Sequence, residues 1–246
     1  EVPLMIGSNR DESKLFMVLD PTFVNFIAGL PAGAKDPAYY ALASQYTTDA
    51  MKATSVDRIA STLSQTTGQP GVWAYRFDWD EEPIVLGVDM GFLLGAGHGL
   101  EIAFVFFDFN QFLAPAFAPM VYTSENLAGR LELGGSMSSY WAEIAYNGDP
   151  GRGRSGTEVA WTAWDSSAPE NDKFIIFDTS ADAGIRMSSD EITLPGLYAD
   201  LLAEKGFTTQ EQHCGMYVRL FGGTALWNDN DYLNLGAEGC SAYPVD

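Results

Sequence analysis

Histidine, cysteine and basic residues are scarce in this chain. Its 246 residues include two histidines, two cysteines and 13 lysines and arginines, against 33 aspartates and glutamates, for a formal net charge of −20. Each shortage excludes something. Cys214 and Cys240 do not form a Cys-x-x-Cys pair. With so few histidines, a zinc site has almost no ligands to draw on, and His213 beside Cys214 is only a weak pointer to one. Nucleic-acid binding needs basic patches to meet phosphate, and this chain lacks them. The same deficit argues against an electrostatic hold on anionic membranes. No apolar run approaches the roughly 20 residues of a membrane span; the longest, Ile102 to Phe109, is short and broken by Asp108. The acidic surplus reads as a solvated surface that favours solubility, with adaptation to high salt as the sharper alternative.

What is present suffices for a folded domain: 46% of residues are hydrophobic and 13% aromatic, enough at this length for a sizeable core. Val2 to Gly7 reads as a buried strand and Glu12 to Leu19 as a helix that Pro21 stops. Asp36 to Ser64 is largely helical, with Tyr39, Leu42, Ala43 and Tyr46 at spacings of three and four. Val72 to Phe77 is a strand of β-favouring residues. Asp78 to Gly97 reads as a long acidic loop over the site, and Leu100 to Phe106 as a helix or turn with Glu101 near its positive end. Ser124 to Tyr146 reads as a helical pair, with Gly134-Gly-Ser136 as a loop or helix start. Gly148 to Gly156 is a solvated turn. Phe174 to Asp178 and Ile185 to Met187 are late strands. Pro195 to Gly206 and Thr208 to Phe221 are two further helices. Strands alternating with helices predict an α/β fold with a mostly parallel central sheet, and active groups in such sheets gather beyond the carboxyl ends of the strands.

His98 stands between glycines in Gly95-Ala-Gly-His98-Gly-Leu-Glu101, where the backbone can turn sharply and leave the ring uncrowded. A lone loop histidine is usually a surface residue. Here the first strand runs into Asn9-Arg10-Asp11-Glu12-Ser13, so an acid and a histidine each follow a strand. Those are two members of a nucleophile–base–orienter relay. Sequence alone does not choose between Asp11 and Glu12. The strained elbow Gly-x-Ser-x-Gly that would carry a nucleophilic serine does not occur in the chain.

These residues carry a family resemblance. Val2 to Phe16 resembles the strand-plus-acid motif Gly-x-Asn-x-Asp-Glu-Gly of the type-B carboxylesterases, the family of the cholinesterases and para-nitrobenzyl esterases. Tyr46-Thr-Thr-Asp49 with Arg58-Ile-Ala60 resembles its helical stretch, and Val72-Trp-Ala-Tyr75-Arg-Phe77 its strand before the catalytic loop. His98-Gly-Leu-Glu101-Ile with Phe104-Val-Phe106 resembles its His-Gly-x-Glu-Ile-x-Phe-Val-Phe motif. Trp141, Asn147-Gly-Asp-Pro150 and Trp161-x-x-Trp164 resemble its ending. The five motifs run in family order to about Phe177, beyond which the resemblance thins.

The resemblance implies that residues 1–246 are the C-terminal portion of a single α/β-hydrolase domain. An N-terminal chain of the same precursor would complete it and carry the serine. The implied activity is carboxylic ester hydrolysis by a Ser-Glu-His triad on a small-molecule ester, with no cofactor or metal. Glu12 takes the acid's place and His98 the base's. Ser13 replaces the usual glycine and is expected to cap the following helix. Asp49 is expected to be a helix cap or a buried hydrogen-bonding acid, and Phe104, Phe106, Phe107, Phe109, Phe112 and Phe117 to form core or lid. Cys214 and Cys240 are expected to form a disulfide of a secreted or periplasmic protein; two buried thiols are the alternative. A non-catalytic adhesion relative of the same fold is the alternative function.

Overall fold

The computed structural model describes residues 2–113 and 117–244. Strand β1 (Leu4–Asn9) leads into the short helix α1 (Lys14–Met17) and an antiparallel hairpin, β2 (Val24–Ile27) and β3 (Leu30–Ala34). The sequence reading missed that hairpin: its strands are short, β2 buries only its first residue, and β3 is Leu-Pro-Ala-Gly-Ala, so they carry little hydrophobic pattern. Helix α2 (Pro37–Lys52) begins where Asp36 accepts a hydrogen bond from Tyr39 N–H and Pro37 occupies the first turn, the chemistry favoured at a helix start. A five-residue π segment (Ala53–Asp57) joins it to α3 (Arg58–Ser64), so the predicted helical run is real but changes pitch.

Strand β4 (Val72–Phe77) follows. The predicted loop after it contains a two-residue hairpin, β5 (Ile84–Val85) and β6 (Val88–Asp89), and the short α4 (Met90–Leu93). Then come α5 (Glu101–Val105) and α6 (Leu127–Asn147). Helix α6 is one helix, not a pair. Gly134 and Gly135 lie inside it, and Gly134 faces the rings of Phe107 and Phe109, which a Cβ would crowd. Close packing, not a break, explains that glycine. Ser136 is therefore interior helix, not a loop. The helix ends at Gly148, in the left-handed region at φ 74°, a common helix terminator. Strands β7 (Phe174–Phe177) and β8 (Arg186–Ser188) complete the sheet, and α7 (Leu194–Ala203), α8 (Gln210–Phe221) and α9 (Asp229–Leu233) close the described chain.

The main sheet has the order β1-β4-β7-β8, with β1, β4 and β7 parallel and β8 antiparallel. It is a mixed, mostly parallel α/β sheet flanked by helices. Strand β4 alternates strictly. Trp73, Tyr75 and Phe77 face a core shared with Tyr140, Trp161 and Phe177, while Val72 and Ala74 face a smaller one with Val56, Ala60, Trp164 and Phe174. A strand covered on both faces reads as a nearly continuous apolar run, which is why β4 and β7 were legible. Gly7 in β1 is required by close approach: a Cβ there would lie 2.3 Å from the Tyr75 ring. Among the described residues strand β1 is an edge, paired with β4 alone.

Candidate active site

Strands β1 and β4 run in register from Leu4 opposite Val72 to Asn9 opposite Phe77. Their carboxyl ends therefore open on the same side. The chain leaves β1 directly into the acidic turn. It leaves β4 for twenty residues of hairpin and helix, the span the sequence reads as a loop, before returning with His98.

Two glycines make the return possible. Gly95 has φ 48°, and a Cβ there would lie 2.5 Å from an Asp11 oxygen; Gly99 has φ 79°. Between them His98 projects outward, its side chain 54% exposed. His98 Nδ1 lies 2.5 Å from Glu12 Oε2. The second oxygen of Glu12 accepts from the backbone N–H of Asn9 at 2.8 Å, so both acceptors of a carboxylate that is only 10% exposed are used. A carboxylate accepts only from a protonated Nδ1. The pair therefore favours the tautomer whose Nε2 lone pair is unprotonated. Among the described residues Nε2 makes no hydrogen bond. The Phe16 ring lies 5.5 Å from the imidazole, centre to centre.

Asp11 points elsewhere. It accepts from Arg10 at 2.9 Å, pairs with Lys14 at 3.0 Å and takes the Ala96 N–H at 3.1 Å, while its own N–H donates to the Ala96 carbonyl. Burial pushes its carboxyl up, but Lys14 and Arg10 outweigh that and hold it below the ordinary range. Asp11 thus clamps the acidic turn to the histidine loop, and Glu12 alone meets the ring.

Helix α2 backs both loops. Tyr40 donates its hydroxyl to the Leu93 carbonyl at 2.7 Å. Ser13 does not cap α1. Its hydroxyl donates to the Ser44 carbonyl at 2.9 Å, and its backbone N–H donates to Thr48 Oγ1 at 3.2 Å. Its backbone is already helical, unlike the extended conformation usual at a cap, so the side chain points across to α2.

Asp49 lies inside α2 and caps nothing; burial raises its carboxyl to about 6. The aromatic cluster divides. Phe104 is fully buried against Phe77 and Trp79, while Phe106, Phe107, Phe112 and Phe117 are exposed, with Phe106 stacked on Phe112. Cys214 and Cys240 are joined as a disulfide. His213 sends Nε2 to the Leu201 carbonyl at 2.8 Å and stacks on Phe207, and the sulfur of Cys214 is taken up by the disulfide. Among the described residues no cluster of three or more potential metal ligands occurs.

The residue that sequence reasoning missed is Asn9. It is 1% exposed and donates through its amide to the Gly97 carbonyl at 2.7 Å and to Glu101 Oε2 at 2.6 Å. Two signals were available: Asn9 is the asparagine of the Gly-x-Asn-x-Asp-Glu pattern, and it is a poor strand former at the end of an apolar strand. Burial raises the Glu101 carboxyl, and the Asn9 amide works against that rise. Glu101 thus spends its charge on Asn9, not only on its own helix end.

Two solved structures of PNB esterase resemble the chain. One is 20% identical, matching 76% of this chain and 36% of the esterase at a TM-score of 0.46; the other is 25% identical, matching 76% and 35% at 0.45. The chain thus spans little more than a third of the length of those esterases. No family model matches it, and no curated protein matches it.

Proposed function

We propose that this chain is the acid- and base-bearing part of a serine carboxylic ester hydrolase. The observation that carries the reading is the Glu12–His98 pair, a buried carboxylate on Nδ1 of a half-exposed imidazole whose Nε2 is unengaged among the described residues. The order of the motifs around these residues supports it. The disulfide fits a secreted or periplasmic protein.

The chemistry follows from the pair. A serine hydroxyl is a weak nucleophile until a base takes its proton. His98 Nε2 accepts that proton as the oxygen attacks the ester carbonyl, then returns it to the departing alcohol. Glu12 holds the ring by Nδ1–H and stabilises the imidazolium as it forms. The serine and the backbone donors for the oxyanion belong, in this proposal, to an N-terminal chain of the same precursor, seated along the open edge of β1.

The test is hydrolysis of an activated aryl ester by the chain together with that serine-bearing polypeptide. His98→Ala should cut turnover by at least about 10³-fold with circular dichroism unchanged. Turnover near the wild-type rate would overturn the assignment.

A further inference from the structure

Three N–H bonds leave one buried residue, Asn9, and all three end at the histidine–acid site. The backbone N–H holds Glu12 Oε1, and the two amide N–H groups hold the Gly97 carbonyl, one residue before His98, and the Glu101 carboxylate, three residues after it. We propose that Asn9 is the positioning residue that fixes the His98 ring against Glu12. The bearing of this on turnover rests on the hydrolase reading; the effect on the ring does not.

The choice of side chain follows from the acceptors. A carbonyl and a carboxylate both lack protons, so the group between them must donate twice over a short reach. Aspartate has the same shape but only acceptors when ionised. Serine has one donor. Glutamine has an extra methylene, for which a site 1% exposed has little space. Losing the donor pair also leaves the Glu101 carboxylate buried without its partner, a costly state for a charge. The loop that carries His98 would then be held on this side by the Asp11–Ala96 bonds and by the Glu12–His98 contact itself.

The test reads the imidazole itself. The chain has two histidines, so ¹⁵N-labelled histidine gives two ring signals, and His213, fixed by Leu201 and Phe207, serves as an internal reference. At about pH 9, where imidazoles are ordinarily neutral, His98 in the unaltered chain should show the Nδ1–H tautomer. Asn9→Asp should move the tautomer ratio toward Nε2–H by about tenfold, the factor set by one hydrogen bond, with His213 unchanged. Adding Glu101→Gln to Asn9→Asp should restore part of the ratio, because the glutamine amide can donate to the new carboxylate. Unchanged His98 shifts, or equal movement of both histidines, would overturn the proposal. If Asn9→Asp does not fold, Glu101→Ala, which removes one of the three acceptors, should give a smaller shift in the same direction, and no shift there overturns it. An altered ratio in a chain that supports no ester turnover would sink the hydrolase reading alone; an unaltered ratio with turnover intact would sink Asn9 alone.

Discussion

The hydroxyl of Ser13 donates to the backbone carbonyl of Ser44 at 2.9 Å. It ties the turn that carries Glu12 to the middle of α2, and Thr48 accepts the Ser13 N–H beside it. Ser13→Ala leaves the Ser44 carbonyl short of a donor in a buried setting. We expect a stability loss of about 1–2 kcal/mol in urea unfolding, together with reduced ester turnover. A variant as stable as the unaltered chain would show that α2 does not hold the acidic turn through this bond.

Glu12→Gln and Asp11→Asn should fail in different ways. Glu12→Gln removes the charge beneath the imidazole, so turnover should fall steeply with modest change in stability. Asp11→Asn should retain far more turnover but lose stability, because Lys14 loses its carboxylate and Arg10 is left with Asp80. The sign of the pH effect follows from the lowered carboxyl of Asp11. Its contribution is present above the unfolded value near 4 and disappears as pH falls through the lower folded value. The unaltered chain should therefore lose stability across that acid window, and Asp11→Asn should lose less there. The reverse ranking of the two variants in turnover would give the orienting role to Asp11.

Legibility followed burial and periodicity. Strands β4 and β7 were read nearly to their ends because both faces are covered, and α2 because its apolar spacing is helical. The β2–β3 hairpin was invisible because Val24 and Pro31 are its only buried residues and no alternating apolar pattern marks its strands. Helix α6 was misread as two because a glycine pair usually breaks a helix; here Phe107 and Phe109 need the space. The motif singles out Glu12 and His98, and the fold brings their side chains within 2.5 Å of each other. Ser13 was named but given the wrong partner, since a cap is a local expectation and Ser44 is thirty-one residues away. Asn9 could not be read as a hub, because its acceptors belong to a loop eighty-eight residues distant that only the fold brings near.

Asp49→Asn should stabilise the chain above neutrality. Burial raises the Asp49 carboxyl to about 6, with Lys52 and Arg76 offsetting part of the cost. An acid whose folded pKa is raised binds more protons folded than unfolded, so stability falls as pH rises from about 4 to 6 and stays lower beyond. The asparagine carries no such penalty. A gain on the order of 1–2 kcal/mol at pH 8, vanishing below pH 4, is expected in thermal or urea unfolding; an equal effect at both pH values would remove titration as the cause.

Cys214 and Cys240 are fully buried and joined across 26 residues, fastening α8 to the segment after α9. A thiol reagent in denaturant should find nothing to label until a reductant is added, and then two sulfurs. A loop of this size is worth about 3 kcal/mol, so reduction should lower the melting temperature measurably. Two labels without reductant would leave the cysteines as free thiols.

The open edge of β1 makes the last prediction. Leu4 N–H donates to Gly71 and Arg10 N–H to Phe77, both on the β4 side. Alternate residues of a strand point their amides in opposite directions, so Met5 and Gly7 present theirs to the unpaired side. Such an edge is a template for another strand, and an apolar fringe accompanies it in Val2, which is 74% exposed. In hydrogen exchange on the chain alone, the Met5 and Gly7 amides should exchange freely while Ile6 and Ser8, turned toward β4, are protected. Adding the serine-bearing polypeptide should protect Met5 and Gly7 as well. Met5→Pro deletes one outward donor at a position where an edge strand tolerates proline. It should leave the protection of Ile6 and Ser8 intact while weakening both association and ester turnover. Turnover that appears with Met5 and Gly7 still unprotected would place the partner somewhere other than along this strand.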